Sequence, residues 1–237
     1  MRKWLAQAAA CLLLACGGPG GSGRVDPAQY DSFFLWAGVA PPAWLGRAKS
    51  VYLLAGEVRA NGRDGFVTLR AAPEAAKPAL WLVVRSNRLD WSPALHAQIL
   101  RQLDRWSAAN RVEGLQVDFD AATRGLDQYS AFLADLRKRL PARYKLSITG
   151  LMDWSANGDP AALAGLAGTV DEVVVQTYQG RTTIPGYEAY FAKLQRLPLP
   201  YRVALVEGGD WKAPPGLESD PEFRGYVVFL LKPETNP

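Results

Sequence analysis

The fold of this chain is predicted best by the stretch Glu113-Gly114-Leu115-Gln116-Val117-Asp118-Phe119-Asp120. It is typical of a buried β-strand, and because side chains alternate along a strand, Asp118 and Asp120 leave from the same face. In a barrel of parallel strands, such residues at the C-terminal end of a strand point into the mouth of the barrel. Two adjacent acids repel each other and resist desolvation, so we interpret the pair as a site of chemistry or ligand binding. The alternative is structural: Asp120 caps the following loop and Asp118 pairs with an arginine.

The first residues of the chain are typical of a bacterial lipoprotein signal. Arg2 and Lys3 precede an apolar run that ends in Leu13-Leu14-Ala15-Cys16. This run is shorter than the ~20 residues that cross a bilayer, but it fits the apolar region of a secretory signal. We therefore predict a signal peptide at 1–15, a lipidated Cys16 with a Gly-rich tether at 16–29, and one folded domain at 30–237. An ordinary secretory signal with a chance cysteine is the alternative.

These predictions locate the protein in the cell envelope, anchored to a membrane only through lipid and facing the periplasm or the exterior. Removal of residues 1–15 takes Arg2 and Lys3 from the 27 basic residues and leaves 25, against 23 acidic residues. A chain so close to neutral has no basic footprint for nucleic acid, so we predict no nucleic-acid partner. Cys16 is then the one remaining cysteine, which excludes a disulfide within the chain and a thiol nucleophile in the domain.

Eight apolar, β-rich runs alternate with helical patterns along the domain. The runs are Phe33–Gly38, Val51–Val58, Leu80–Ser86, Gly114–Asp120, Lys145–Leu151, Glu172–Tyr178, Arg202–Glu207 and Gly225–Leu231. The helical patterns begin at Ser92-Pro93, Leu126, Asp159-Pro160 and Pro185, and the last two end near Gly168 and Leu197. This order predicts an α/β fold, a single (β/α)₈ TIM-type barrel, small and with some helices reduced. Residues 59–70 predict a hairpin in place of a long helix, and a doubly wound open sheet is the alternative fold.

The predicted strand ends carry acids, amides and aromatic rings. The candidates are Trp36, Arg85, Asp118, Asp120, Asp153, Trp154, Gln176, Tyr178, Glu207 and Trp211. Acids transfer protons, aromatic faces cover the apolar faces of sugars, and amides bind hydroxyl groups, so this composition predicts a carbohydrate site. We predict no metal and no cofactor, because the chain has a single histidine, His96, on a helix, and has no phosphate loop or dinucleotide fingerprint. Binding of Mg²⁺ or Ca²⁺ by carboxylates alone is the alternative, although the sequence contains no dedicated ligand loop.

Residues 113–120 resemble the fourth-strand signature of the chitinase-like family 18 glycoside hydrolases, D-G-x-D-x-D-x-E. Gln176-Thr177-Tyr178 resembles the sixth-strand motif of the same clan. The closer resemblance is to a bacterial barrel family described as a domain of unknown function, DUF3142, in which V-D-F-D, L-S-I-T and Q-x-Y stretches occur. This resemblance implies the barrel fold and a secreted or lipoprotein setting, without a known activity.

The resemblance to the chitinase-like enzymes also implies roles for individual residues. Asp120 takes the position of the general acid and Asp118 that of the assisting carboxylate, while Tyr178 would stabilise the reacting centre and Gln176 would hydrogen-bond the sugar. In that mechanism the acetamido group of the substrate is the nucleophile. This chain departs from the pattern at two positions. Asp120 is one methylene shorter than the expected Glu, and Gln116 replaces an inner acid at a position that we include among the substrate contacts.

Several outlying candidates have two interpretations each. Arg85 binds an acidic sugar or pairs with Asp118 or Asp120, and Asp153 is a second acid or a loop cap. Glu207 is a partner acid for Asp120 or forms a salt bridge with Arg202 or Lys212. The tryptophans Trp36, Trp154 and Trp211 stack on sugars or belong to the core.

Three functional hypotheses follow from these residues. The first is a glycoside hydrolase-like envelope lipoprotein that acts on a poly- or oligosaccharide. The second is a non-catalytic barrel that binds glycan or another envelope component. The third is a barrel enzyme of another class, such as a lyase.

Overall fold

A computed structural model describes residues 23–61, 65–120, 125–154, 160–194 and 199–232. The predicted signal peptide, Cys16 and the first part of the tether, up to residue 22, lie outside these ranges, as do the predicted helix cap Asp159 and the end of the fourth helical pattern at Leu197. Within the described ranges, every helix is too short or too polar to cross a membrane.

Eight parallel strands form the closed barrel that the sequence predicts. They are β1 (Ser32–Leu35), β2 (Ser50–Val58), β3 (Ala79–Ser86), β4 (Val112–Asp118), β5 (Lys145–Leu151), β6 (Glu172–Gln176), β7 (Tyr201–Val206) and β8 (Phe223–Leu230). Each strand pairs with its neighbours in chain order, and β1 pairs with both β2 and β8. This last pairing closes the sheet, so the barrel is confirmed and the open doubly wound sheet is wrong.

Within the described ranges, four α-helices accompany the eight strands. They are α1 (Pro93–Ser107), α2 (Leu126–Arg139), α3 (Pro160–Leu166) and α4 (Glu188–Leu194), with 3₁₀ turns at Pro27–Gln29, Ala43–Arg47 and Leu217–Ser219. Between β2 and β3 the chain forms the predicted hairpin, in which Val67–Thr68 pairs antiparallel with the end of β2. Two further two-residue pairs join Gly23–Arg24 to Asp210–Trp211 and Tyr178–Gln179 to Thr182–Thr183.

Helix α1 illustrates how the outer layer is fixed by local sequence. The Ser92 hydroxyl accepts a hydrogen bond of 3.2 Å from the Leu95 amide, which satisfies one of the free N–H groups at the start of the helix. Pro93 then occupies a position where its missing N–H costs nothing. Ile99 and Trp106 lie on the apolar face and are buried against the barrel. The helix is therefore capped at its start and held by one buried face.

Strand β4 positions the site because its side chains alternate between two environments. Leu115 and Val117 are buried in the core shared with the helices. Gln116 and Asp118 face the barrel interior, where they contact residues of β5. Gly114 allows close approach of β4 to β5, since a Cβ there would lie 2.0 Å from the Lys145 carbonyl oxygen. The strand thereby delivers Asp118 to the C-terminal rim.

Candidate functional site

An open cavity of about 480 Å³ lies at the C-terminal ends of the strands. Six predicted site residues line it: Trp36, Arg85, Asp118, Asp120, Gln176 and Tyr178. Most of the remaining wall is apolar and comes from the interior faces of β1, β6 and β8, including Phe34, Val174 and Phe229. The cavity thus combines an apolar floor with a small number of polar groups at the rim, which is the usual composition of a ligand site.

Asp118 is the buried acid of the cavity. Its Oδ1 accepts a hydrogen bond of 2.9 Å from the Thr149 hydroxyl, and its Oδ2 lies 3.7 Å from Nη1 of Arg85. Burial raises the pKa of Asp118, whereas the Thr149 hydrogen bond and the Arg85 charge act in the opposite direction and the Asp120 charge reinforces the rise. The net effect favours a protonated carboxyl at a higher pH than for an exposed aspartate.

Asp120 is the exposed acid of the cavity. Its side chain is 66% exposed, against 10% for that of Asp118, because β4 ends at Asp118 and Asp120 lies in the loop beyond. Oδ2 of Asp120 is 3.5 Å from Nη2 of Arg85. The two acids therefore face the same cavity, as predicted, and one guanidinium bridges them.

Arg85 lies at the centre of this arrangement. The register of β3 and β4 pairs Arg85 directly with Asp118, which brings opposite charges together at the strand ends. The guanidinium carbon is 5.1 Å from the centre of the Trp36 ring, within the range of a cation–π contact. Trp36 is half-buried and remains part of the cavity wall.

Tyr178 and Gln176 form the wall contributed by β6. The Tyr178 ring packs 5.2 Å from that of Phe229, and the Gln176 amide donates a hydrogen bond of 2.8 Å to the Tyr178 carbonyl. Burial first, and then the charges of Asp118 and Asp120, raise the pKa of Tyr178 far above its usual range. The phenol is therefore a hydrogen-bond donor throughout the physiological pH range.

Gln116 lies one interior layer below Asp118 and does not reach the cavity. It is fully buried, and its Nε2 donates a hydrogen bond of 3.1 Å to the Ser147 hydroxyl. A side chain enclosed by the barrel interior cannot contact a ligand at the rim in this conformation. The expectation that Gln116 is a direct substrate contact therefore has no support from its position.

The remaining predicted residues also lie outside the cavity lining. Trp154 is buried beside Tyr129, and Trp211 is buried and stacks on Tyr187 at 4.6 Å, so both are core residues. Asp153 follows β5 but is not part of the wall. Glu207 accepts a hydrogen bond of 2.8 Å from the Leu231 amide through its Oε2. All four residues lie beyond the ends of β5 and β7, where strand alternation no longer sets the direction of a side chain.

Three polar side chains of the site were missed by the sequence analysis. Thr149 ends the L-S-I-T stretch on β5 and faces the interior two positions after Ser147, so strand alternation could have identified it. Arg181 and Lys232 also line the cavity. Both lie in loops, and no sequence periodicity indicates the direction of a loop side chain.

The described ranges contain no group of three or more His, Cys, Asp or Glu side chains that could hold a metal ion. His96 is buried on α1, and its ring packs 5.4 Å from that of Trp91. Burial lowers the pKa of His96, in agreement with a neutral packing residue.

The closed sheet of eight parallel strands, with acids and rings at its C-terminal rim, defines a TIM-type barrel. Residues 80–195 match the family described as domain of unknown function DUF3142, which confirms the resemblance noted from the sequence. Comparison with curated protein sequences gives no match.

Solved structures with the same fold include a cortex-lytic enzyme, a chitinase domain and a chitinase-like lectin. The spore cortex-lytic enzyme SleL of Bacillus cereus aligns with a TM-score of 0.51 and 18% identity over 75% of this chain and 51% of its own. The chitinase domain of the spore coat protein CotE of Clostridium difficile gives 0.51 and 11% over 73% and 64%. A tamarind chitinase-like lectin gives 0.50 and 12% over 84% and 94%. This chain thus spans about half of SleL and less than two thirds of the CotE domain, and the similarity establishes the fold.

Proposed function

We propose that this protein binds a poly- or oligosaccharide in the mouth of its barrel and hydrolyses a glycosidic bond there. One observation carries the proposal: Asp118, Asp120, Arg85, Gln176, Tyr178 and Trp36, from four strands and the loops that follow them, converge on one open cavity. Side chains so far apart in sequence meet only because the sheet closes.

Binding rests on the aromatic and polar parts of the wall. The rings of Trp36, Tyr178 and Phe229 offer apolar faces to the C–H faces of a sugar. The Gln176 amide and the Tyr178 hydroxyl bind sugar hydroxyl groups. A saccharide unit in the cavity would therefore be held on its faces by rings and at its edges by hydrogen bonds.

Catalysis rests on the acid pair. Asp120, at the rim, is the general acid toward the glycosidic oxygen, and Asp118 is the assisting carboxylate. Burial raises the pKa of Asp118, so this carboxyl keeps its proton to a higher pH than an exposed aspartate does, which favours a role as general acid–base partner. Tyr178 donates a hydrogen bond to the reacting centre.

A second candidate is a non-catalytic glycan-binding barrel, and the ion pairs of Arg85 favour it. Arg85 contacts Oδ2 of both acids, so the oxygens that would exchange a proton already face a fixed positive charge. Proton transfer then requires Arg85 to turn away from the acids toward the ligand. The fold is also compatible with this alternative, since the solved neighbours include a chitinase-like lectin.

The two candidates are separated by measuring reducing ends and binding together. The full chain, purified in detergent, is incubated with a panel of envelope polysaccharides and exopolysaccharides, alongside Asp120→Asn and the control Asp127→Asn on the exposed surface of α2. We expect reducing ends from wild type and the control, and a loss of at least about 10²-fold in Asp120→Asn. Binding by all three without release would support the non-catalytic barrel. Absence of binding to every polysaccharide would contradict both.

The envelope setting is a separate proposal that rests on residues 1–16. We propose that Cys16 carries a lipid and anchors the barrel to a membrane. Mass spectrometry of the full chain from its native host should find a lipid-modified cysteine at the new N-terminus, and Cys16→Ser should release the protein from the membrane fraction. An unmodified chain that is already found free of membranes would contradict the proposal.

A further inference from the structure

The outer face of β2 and β3 has no helical cover in the described part of the chain. The connection from β1 to β2 contains a 3₁₀ turn and the connection from β2 to β3 contains the hairpin strand, so neither described segment provides an α-helix. Val51 and Leu53 on β2 and Leu80 on β3 belong to the core shared with the outer layer. An apolar cavity of about 320 Å³, which we call the outer cavity, lies against these three residues.

The walls of the outer cavity offer few hydrogen-bonding groups. Four of the lining residues are prolines: Pro41, Pro42, Pro73 and Pro78. Because proline has no backbone N–H, these positions cannot donate a hydrogen bond to a ligand. A polar group placed against them would lose its hydrogen bonds to water without replacement. The part of a ligand that enters the outer cavity must therefore be apolar.

Asn110, which follows α1, fixes one wall of the outer cavity. Its Nδ2 donates a hydrogen bond of 2.9 Å to the Pro73 carbonyl, and its Oδ1 accepts one of 2.7 Å from the Ala76 amide. Between these two residues, Ala75 has a φ of 42°, a left-handed conformation that is unfavourable for a residue with a side chain. The wall is thus held in one conformation by a side chain outside the loop, and no ligand is needed to form it.

Two cations, Arg70 and Lys77, line the outer cavity, and its described lining contains no acid. Nη2 of Arg70 donates hydrogen bonds to the carbonyls of Trp36 at 2.9 Å and Val39 at 3.1 Å, while its Nε is buried without a hydrogen-bond partner in the described ranges. Burial lowers the pKa of Arg70, and no carboxylate of the described residues counteracts this effect. Glu74 of the same loop is exposed and is not part of the lining. An anionic group would therefore improve the surroundings of Arg70.

We propose that the outer cavity binds a fatty acid, with the acyl chain along the apolar floor and the carboxylate at Arg70 and Lys77. A guanidinium presents paired donors to a carboxylate, and an ammonium adds a second positive charge. An apolar cavity of about 150 Å³ holds benzene, so one of about twice that size holds roughly a dozen carbon atoms. This is room for one chain, which favours a free fatty acid over the two chains of a membrane phospholipid. The site is separate from the mouth of the barrel, because the two cavities share no lining residue.

The test uses decanoate as the probe and decanol as its neutral counterpart with a chain of the same length. The full chain is held in phosphatidylcholine nanodiscs, and NMR follows the methyl signals of Leu45 and Leu53, which line the outer cavity. The signals of Val203 and Leu205 on β7 report whether each variant is folded. The lipid takes up each ligand equally for every variant, so the comparison between variants is unaffected by it.

Two variants address the two parts of the ligand. Gly46→Phe obstructs the chain: a Cβ at this lining position would lie 3.9 Å from Cδ of Lys77, an ordinary contact, so the ring can be added without a clash. Lys77→Glu reverses an exposed charge at the position proposed for the carboxylate, and Lys138→Glu on the exposed face of α2 is its matched control. Arg70 is left in place because it also donates hydrogen bonds to two backbone carbonyls.

We expect decanoate to shift the signals of Leu45 and Leu53 to saturation in wild type and in Lys138→Glu. Gly46→Phe should weaken this binding at least about tenfold, since the chain loses its apolar contacts. The preference for decanoate over decanol should fall about fivefold in Lys77→Glu and stay unchanged in Lys138→Glu. Nanodiscs that contain phosphatidylglycerol and no fatty acid should leave both signals in place.

The inference would be overturned if the Leu45 and Leu53 signals did not respond to decanoate, or if they saturated equally well in a folded Gly46→Phe. An unchanged preference for decanoate in Lys77→Glu would contradict the carboxylate position. Shifts caused by phosphatidylglycerol alone would contradict a free fatty acid and assign the outer cavity to a membrane lipid. None of these outcomes depends on whether the mouth of the barrel binds a saccharide.

Discussion

Each end of the barrel interior contains an acid that pairs with an arginine, but the two acids have different surroundings. At the N-terminal end, Glu172 accepts hydrogen bonds from the hydroxyls of Tyr52 and Ser147 and, at 3.0 Å, from Nε of Arg202. At the C-terminal end, Asp118 has one short hydrogen bond, and its ion pair with Arg85 is 3.7 Å long.

The difference shows how a structural ion pair is distinguished from a candidate site. Glu172 is buried, and both of its oxygens are bound by side chains of neighbouring strands, so no ligand could improve its surroundings. Asp118 borders an open cavity and bears a pKa raised by burial, so its surroundings resist its charge. Glu172 therefore stabilises the barrel, whereas Asp118 lowers its stability at a position that a ligand can reach.

Removal of the structural acid should have the largest effect. In Glu172→Gln, the charge of Arg202 is left without its partner in the barrel interior, so we expect the free energy of unfolding to fall by about 3–5 kcal/mol. Urea denaturation measures the change. Glu113→Gln, which removes an acid from pairs at the surface, should cost less than about 1 kcal/mol. A loss of similar size in both variants would contradict a special role for the buried pair.

An aromatic residue at the mouth should affect binding instead of folding. Trp36→Ala removes the ring that faces the cavity and supports Arg85, and we expect affinity for the best saccharide ligand to fall about tenfold, or about 1.4 kcal/mol. Titration calorimetry checks the affinity. Trp44→Ala, at the opposite end of the barrel and in contact with Phe33, is the control and should leave affinity unchanged. An equal loss of affinity in the two variants would mean that Trp36 affects binding only through the stability of the fold.

Replacement of the acid at the mouth should stabilise the protein, by about 0.5–2 kcal/mol at neutral pH. The pKa of Asp118 is raised in the folded state, so the folded protein binds this proton more tightly than the unfolded chain and loses stability as pH rises through the folded pKa. Asp118→Asn removes that loss while keeping an oxygen for the Thr149 hydroxyl. Urea denaturation from pH 3 to pH 8 should find the gain at neutral pH and its disappearance below about pH 4, where the acid is protonated in both states. A variant less stable than wild type at pH 7 would contradict this account.

Sequence patterns were sufficient to predict the barrel and six of the residues that line the cavity. Continuous apolar runs located all eight strands to within three residues, and alternation placed Asp118 on the interior face of β4. Alternation also placed Gln116 on that face but could not give its depth, and Gln116 lies one layer too low to meet a ligand. Depth depends on where each strand begins relative to its neighbours, which is a property of the closed sheet and not of one strand.

The directions of side chains in loops also could not be predicted from the sequence. Glu207 and Trp211 follow the end of β7, where the site residues of a barrel are expected. Glu207 instead accepts a hydrogen bond from the Leu231 amide, and Trp211 stacks on another ring in the core. Arg181 and Lys232 line the cavity although nothing in their local sequence indicates it. Loop backbones have no fixed period, so the direction of a side chain there is set by tertiary contacts alone.

The most direct test of the central claim is an NMR titration of the full chain with the saccharide that binds best. Each end of the barrel carries a reporter pair: Trp36 and Tyr178 at the C-terminal mouth, and Tyr30 and Trp44 at a cavity near the start of β1. We predict that the signals of Trp36 and Tyr178 shift with saturation while those of Tyr30 and Trp44 stay in place. Shifts confined to Tyr30 and Trp44 would contradict the assignment of the mouth as the binding site.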